Sequence, residues 1–134
     1  MHGSIPFGID RLSLIFLDIS DNDFTGTIPN NIFLINGLKS LDLHANLFTG
    51  AIPEEHGDIS NLSKIRFEQN FLSGTIPNWI TEAPALGEIH LQLNNLSGKI
   101  PKNWNLEEVV ISKHISISED LNQINNTLLF ISFT

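Results

Sequence analysis

Residues 38–61 have the sequence LKSLDLHANLFTGAIPEEHGDISN, and this 24-residue unit recurs along most of the chain. The same step separates four asparagines, four glycines and four Ile-Pro pairs. These positions are Asn22, Asn46, Asn70 and Asn94; Gly26, Gly50, Gly74 and Gly98; and Ile28-Pro29, Ile52-Pro53, Ile76-Pro77 and Ile100-Pro101. A fixed period of this length is the signature of a repeat protein, in which each unit forms one coil of a solenoid.

The chemistry of the unit predicts how each coil folds. Leu41-Asp42-Leu43 alternates apolar and polar residues with period 2, which is typical of a short strand with one buried face. Asn46 follows where the chain turns inward, and its amide carries both donors and an acceptor for backbone groups of its own and the adjoining coil. Gly50 permits a left-handed backbone, and Pro53 stops the strand. Stacked coils then share one core and one parallel sheet.

The unit L-x-x-L-x-L-x-x-N-x-F/L-S/T-G-x-I-P resembles the plant-specific leucine-rich repeat, and the resemblance covers about residues 3–101. Segments 24–29 (FTGTIP) and 96–101 (LSGKIP) carry the mark of that family. The resemblance implies an α/β-type solenoid, a right-handed superhelix with a short parallel concave sheet and mostly irregular or 3-10 convex turns. Family members include ectodomains of receptor-like kinases, receptor-like proteins without a kinase, and inhibitors of fungal polygalacturonases.

The period defines the coils and frays at both ends. We expect a solenoid over 1–114 and an irregular tail over 115–134. Its full coils lie at about 14–37, 38–61, 62–85 and 86–105, with a partial coil before them and a shortened one at about 106–114. In that last coil Leu106, Val109 and Ile111 continue the apolar pattern. Because the chain begins in mid-repeat and lacks the family's cysteine caps, we expect a fragment of a longer protein.

Composition narrows the possible partners. The formal net charge of −8 disfavours nucleic acid and anionic membrane. The absence of cysteine excludes disulfides and thiolate metal sites. No apolar run approaches the roughly 18–20 residues of a membrane span, and residues 1–6 lack the layout of a secretory signal. We therefore expect no direct membrane insertion by this chain.

The exposed strand positions form three rows on the concave face. The candidate ligand-binding residues among them are Asp18, Asp42, His44, Lys64, Arg66, Glu68, Glu88, His90 and Gln92. Solenoids use this extended surface for binding, although any single polar residue there is more simply explained as a solvated strand residue. The first row is Phe16, Ser40, Lys64, Glu88 and Glu108; the central row is Asp18, Asp42, Arg66, His90 and Val110; the third is Ser20, His44, Glu68, Gln92 and Ser112. Mixed charges and two imidazoles suit a peptide or protein ligand.

Other polar residues have different predicted roles. Asn22, Asn46, Asn70 and Asn94 are assigned to a structural ladder. Three N-x-S/T sequons, at Asn61, Asn95 and Asn125, are glycosylation candidates or by-products of the repeat's own composition. His56 stands where Ile32 and Ile80 recur, which predicts a buried, hydrogen-bonded histidine or a loosened coil.

No metal-binding or catalytic motif is present, so we expect no metal, no cofactor and no enzyme activity in this chain. The resemblance instead implies recognition of a peptide or protein ligand, with or without a co-receptor. The parent would be the extracellular sensing region of a plant receptor-like kinase or receptor-like protein, at the plasma membrane or cell wall. Any kinase activity would lie in a domain absent here. The alternatives are a secreted polygalacturonase-inhibitor-like defence protein, or a truncated fragment without function.

Overall fold

The computed structural model describes residues 1–98, residue 101 and the strand 114–116. Each coil runs from a strand, through a second extended segment, to an outer turn. In chain order the strands are β1 (His2–Gly3), β2 (Phe16–Asp18), β3 (Asp23–Phe24), β4 (Ser40–Asp42), β5 (Thr49–Ala51), β6 (Lys64–Arg66), β7 (Phe71–Gly74), β8 (Glu88–His90), β9 (Asn95–Leu96) and β10 (His114–Ser116).

Within residues 1–98 and 114–116, the concave sheet is parallel and has five strands, in the order β10-β8-β6-β4-β2. Its register places Leu17 opposite Leu41, Leu41 opposite Ile65, and Ile65 opposite Ile89. Leu41, Ile65 and Ile89 are fully buried, so the apolar residue of each strand packs into one continuous core. The predicted solenoid with its parallel concave sheet is confirmed.

A second parallel sheet follows the ladder asparagines, and the sequence did not predict it. It comprises β5, β7 and β9, while β1 pairs separately with β3. The outer turns are mostly irregular or 3-10, as expected for the convex side. The residues after each asparagine are extended, because their backbone groups pair with the preceding coil, as when Phe71 N–H donates to Phe48 O at 2.9 Å. Gly50, in the middle of β5, and Gly74, at the end of β7, take positive φ angles of 77°.

The outer turns differ from coil to coil. Two are 3-10 turns, Phe7–Arg11 and Asn30–Leu34, each preceded by proline, and one is a short α-helix, α1 (Trp79–Glu82). Residues 54–58 form no helical turn, and His56 is exposed there. The loosened-coil alternative therefore describes His56, and the buried alternative is wrong. No helix in the described part of the chain is long and apolar enough to cross a membrane.

The concave sheet continues past the fourth coil at a different place from the one predicted. The strand that pairs with β8 is β10, in which His114 lies opposite Glu88 and Ile115 opposite Ile89. The step from Ile89 to Ile115 is 26 residues (115 − 89), whereas the predicted strand around Val109 gave a step of 20 (109 − 89). The alternation Ile115-Ser116-Ile117 supplies the period-2 pattern of a strand. Of the predicted coil 106–114, all but His114 lies outside the described residues.

Candidate functional site

The concave sheet brings the predicted binding residues into register. Phe16, Ser40, Lys64 and Glu88 lie opposite one another in sequence order on neighbouring strands, and so do Asp18, Asp42, Arg66 and His90. The next positions in these two rows are His114 and Ser116. Glu108 and Val110, predicted there, lie outside the described residues, as does Ser112 of the third row. Neighbouring strands are about 4.8 Å apart, so side chains from adjacent coils can contact one another.

Arg66 is the centre of an ion-pair network that joins two coils. Arg66 Nε donates to Glu68 Oε1 at 2.9 Å, and Arg66 Nη2 donates to the same oxygen. Arg66 Nη1 lies 3.4 Å from Asp42 Oδ2. Burial works against the charge on Arg66, but the hydrogen bond and charge of Glu68 and the charges of Asp42 and Glu88 outweigh it and raise the pKa. Asp42 and Glu68 are both buried. The network therefore fixes the middle of the face.

Glu88 forms a second cluster with Lys64 and His90. Lys64 Nζ lies 2.9 Å from Glu88 Oε1, and His90 Nε2 lies 3.2 Å from the same oxygen. Burial of Glu88 disfavours its ionised form, but the hydrogen bond and charge of Lys64, together with His90, hold the pKa below its usual value. Glu88 therefore remains a carboxylate in mildly acidic solution.

His44 lies between two carboxylates. Its Nδ1 is 2.6 Å from Asp42 Oδ1, and its Nε2 is 3.3 Å from Asp21 Oδ2. The ring therefore bridges carboxylates of two neighbouring coils. Sequence reasoning left Asp21 out of the candidate residues, although its position two residues after the third apolar residue of the strand places it on the concave edge.

Asp18 is an exposed carboxylate near the N-terminal end of the concave sheet. Ser20 donates to Asp18 Oδ1 from its hydroxyl at 2.7 Å and from its backbone N–H at 3.0 Å. These hydrogen bonds, assisted by the charges of His44 and Arg66, hold the pKa of Asp18 below its usual value. Phe16 is 68% exposed and, being two residues away on the same strand, lies on the same face of the sheet as this carboxylate.

Two buried side-chain oxygens in the third row have no donor among the described residues. They are Glu68 Oε2 and Gln92 Oε1. A buried polar atom without a partner is unusual, and its free-energy cost is about 1–3 kcal/mol. The concave face therefore has acceptors that the described part of the chain does not satisfy. Sequence reasoning named both residues but gave no sign of their burial, because alternation assigns strand residues of this face to solvent.

The ladder asparagines make the same hydrogen bonds in successive coils. Asn70 Oδ1 accepts from Phe48 N–H at 3.0 Å, while its Nδ2 donates to Leu43 O at 2.9 Å. Each of these partners belongs to the preceding coil. Asn46 and Asn94 repeat the pattern toward the coils before them. Asn22 differs, since its Oδ1 accepts from the terminal ammonium of Met1.

The arrangement offers contacts for a ligand and no catalytic centre within the described residues. Among residues 1–98 and 101, no three His, Asp or Glu side chains converge as a bound metal ion would require. His44 and Asp42 resemble an acid–base pair, but no hydroxyl is hydrogen-bonded to His44 in the described coils, and the hydroxyl of Ser20 in the adjacent coil donates to Asp18. The site can form hydrogen bonds and ion pairs with a partner that lies along the sheet.

The sequons fall in different parts of the fold. Asn61 is exposed at the turn before β6, and Asn95 is exposed in β9. Asn125 lies outside the described residues. The two described sequons therefore leave their amides accessible to a modifying enzyme.

Comparison with known proteins identifies the repeat. Residues 13–34 and 37–59 match the Leucine Rich Repeat family. No curated protein sequence matches the chain significantly.

Solved structures extend the likeness to most of the chain. The plant peptide hormone receptor RGFR1 in complex with RGF2 is 34% identical with a TM-score of 0.71, over 88% of this chain and 19% of that one. The Arabidopsis receptor kinase HAESA, in complex with the peptide hormone IDA and the co-receptor SERK1, is 32% identical with a TM-score of 0.72. The match covers 87% of this chain and 19% of that one. A chain of the BIR3–SERK2 complex from Arabidopsis thaliana is 36% identical with a TM-score of 0.68. The match covers 77% of this chain and 56% of that one. The chain thus spans about a fifth to about half of these structures.

Proposed function

Because the chain is a leucine-rich-repeat solenoid of the plant receptor type, we propose that its concave face binds a peptide or protein ligand. The observation that carries the proposal is a band of two neighbouring ion-pair clusters across three coils, one that joins Asp42 and Glu68 through Arg66 and one that joins Lys64 to Glu88. Bands of this kind orient a partner and favour the correct one through charge complementarity. Two of the similar structures are complexes with peptide hormones.

The proposal places the chain in the extracellular sensing region of a receptor-like kinase or receptor-like protein, at the plasma membrane or cell wall. Its contribution is binding, with or without a co-receptor, and the chain itself catalyses nothing. Asn61 and Asn95 would then carry glycans. Expression through the secretory route, followed by glycosidase treatment, tests this, because Asn61→Gln and Asn95→Gln should each remove one mobility step. An unchanged mobility in all three proteins would argue against passage through that route.

Binding can be tested with peptides displayed at random on phage and selected on the purified 134-residue chain. The test variant is Lys64→Ala combined with Glu88→Ala, which removes the pair at 2.9 Å without changing the net charge. Because exposed pairs contribute about 0–1 kcal/mol to stability, this variant should remain folded. We expect binding of the selected peptides to weaken about tenfold, equivalent to about 1.4 kcal/mol.

A matched control removes an equally neutral pair of residues from the outer turns. Arg11→Ala combined with Glu82→Ala changes two exposed residues and leaves the concave sheet intact. The proposal requires this control to keep its affinity for the selected peptides. If the outer variant loses binding while the concave variant retains it, or if no peptide is selected above a blank surface, the concave face is not a recognition site.

A further inference from the structure

The concave face supplies more acceptors than donors. Along the described strands five carboxylates face two permanent cations, Lys64 and Arg66. Both cations already have partners, since Lys64 bonds Glu88 and Arg66 bonds Glu68 and Asp42. The five carboxylates are Asp18, Asp21, Asp42, Glu68 and Glu88.

The unsatisfied acceptors lie next to each other in the fold. Glu68 and Gln92 occupy the same row in adjacent coils, and the backbone hydrogen bond from Gln69 N to Gln92 O, 3.1 Å long, joins those coils beside them. Glu68 is only 5% exposed, yet its Oε2 has no donor within the described residues, and neither has Gln92 Oε1. Because neither oxygen is open to solvent, a ligand supplies the missing N–H or O–H groups only when the side chains that cover these oxygens move aside.

The N-terminal end of the same face adds two features that suit a cation. Asp18 has no cationic partner among the described residues, and the only one near Asp21 is His44 at 3.3 Å. Phe16, two residues before Asp18 on β2, is 68% exposed. An exposed aromatic face next to carboxylates attracts ammonium and guanidinium groups and packs against their aliphatic stems.

We infer that the ligand of the concave face is a peptide with a basic side chain, arginine before lysine, which donates to Glu68 and Gln92. This inference rests on the proposed recognition function and specifies its ligand class. Arginine is preferred because its five N–H donors form a planar fork. Acceptors carried by neighbouring strands about 4.8 Å apart can be reached by such a fork, whereas a lysine ammonium is a compact point charge.

The test compares the composition of phage-selected random peptides on the unchanged chain and on two variants of similar shape and opposite charge effect. Glu68→Gln removes a carboxylate and should lower the arginine and lysine enrichment severalfold. Gln92→Glu adds a carboxylate in the same row and should raise it. Glu55→Gln, which removes an exposed carboxylate from an outer turn, should leave it unaltered. The enrichment should also fall with added salt, because exposed charge interactions are screened.

The outcomes separate this inference from the function on which it rests. Selected peptides rich in aspartate and glutamate, or without any charge preference, would overturn the basic ligand while leaving recognition intact. An absence of selected peptides would end both. If Glu68→Gln loses its melting transition through the loss of Arg66's partner, Gln92→Glu still decides the matter, because arginine enrichment that does not rise there contradicts the inference. A Gln92 amide that already donates to Glu68 would also contradict the inference. In that case the Gln92→Glu variant would melt at a lower temperature than the unchanged chain and would select no more arginine.

Discussion

The two sides of each coil are fixed to very different degrees. On the ladder side, Asn46, Asn70 and Asn94 accept backbone N–H groups of the preceding coil at 2.9, 3.0 and 2.9 Å. On the outer side, successive turns are 3-10, non-helical and α-helical at residues 30–34, 54–58 and 79–82. The same 24-residue step produces both sides.

The difference follows from what each side must satisfy. A buried backbone group needs a partner at a fixed distance and angle, so only an amide of one length, at one position, completes the ladder. The outer turns need only an apolar anchor into the core, and several backbone shapes deliver one. Ile32 and Ile80 do so from helical turns, whereas Trp79 also packs its ring 4.5 Å from that of Phe33. We therefore expect mutations on the ladder side to cost the most stability.

The largest effect is expected for Asn70→Ala. The change leaves Phe48 N–H of the preceding coil unsatisfied in a buried setting and removes one of the two amide donors to Leu43 O, which should cost about 2–3 kcal/mol. Urea unfolding of the purified chain measures this. Asn22→Ala is the matched control, because Asn22 is only half-buried and bonds the exposed terminal ammonium. It should cost less than about 1 kcal/mol. Equal losses in the two variants would show that the ladder does not govern stability.

The second-largest loss of stability, about 1–2 kcal/mol, is expected for Gly50→Ala, because the left-handed conformation disfavours any residue with a Cβ. Gly50 has a φ of 77°, and an added Cβ would lie 2.9 Å from Thr27 Cγ2 of the preceding coil. Gly87→Ala is the control, since the nearest atom to its added Cβ is 3.9 Å away and its φ is not positive. Thermal melting of both variants provides the comparison, and a larger loss at Gly87 would contradict it.

On the outer side, we expect Trp79→Phe to lower the free energy of unfolding by about 1 kcal/mol. The indole N–H of Trp79 donates to Pro53 O at 2.9 Å, and a phenyl ring keeps most of the packing but not the donor. This bond holds the non-helical turn of the preceding coil to the core, so its loss should increase amide hydrogen exchange at residues 54–58 more than in β6. Uniform exchange across the coil would mean that the outer turn is not an independent unit.

Much of the ladder side could be predicted from the sequence. The apolar period gave the strand register, with Leu41 opposite Ile65, because a one-residue slip would turn every buried side chain outward. The second sheet was missed since Phe71–Gly74 alternates poorly and ends in glycine, a residue that usually breaks strands. Here the pairing comes from the neighbouring coil and overrides local propensity.

The candidate site was predicted by position and not by environment. Register alone placed Asp42, Arg66 and Glu88 on one face. It could not reveal that Arg66 and His44 cover Asp42, because burial of a strand's outer face depends on how long side chains from adjacent coils fold over one another. The fifth strand was misplaced for a related reason, since the 24-residue step no longer holds after β9.

The smallest effect is expected for Ala45→Gly, and its sign is opposite to that of the others. The residue before each ladder asparagine is left-handed, with φ of 53° at Asp21, 51° at Ala45, 58° at Gln69 and 58° at Leu93. A Cβ in this conformation costs about 1–2 kcal/mol, while glycine loses about 0.5–1 kcal/mol of chain entropy on folding. The net result should be a gain of about 0.5 kcal/mol from these two opposing effects.

Ala51→Gly is the matched control for this gain, because Ala51 is an exposed residue of β5 whose φ is not positive. There glycine relieves no strain and should cost about 0.5–1 kcal/mol. Two alanines of one coil should therefore respond to the same substitution with opposite signs in urea unfolding. A loss at both positions would mean that the ladder hydrogen bonds do not impose the left-handed turn, and the contrast between the two sides of the coil would lose its cause.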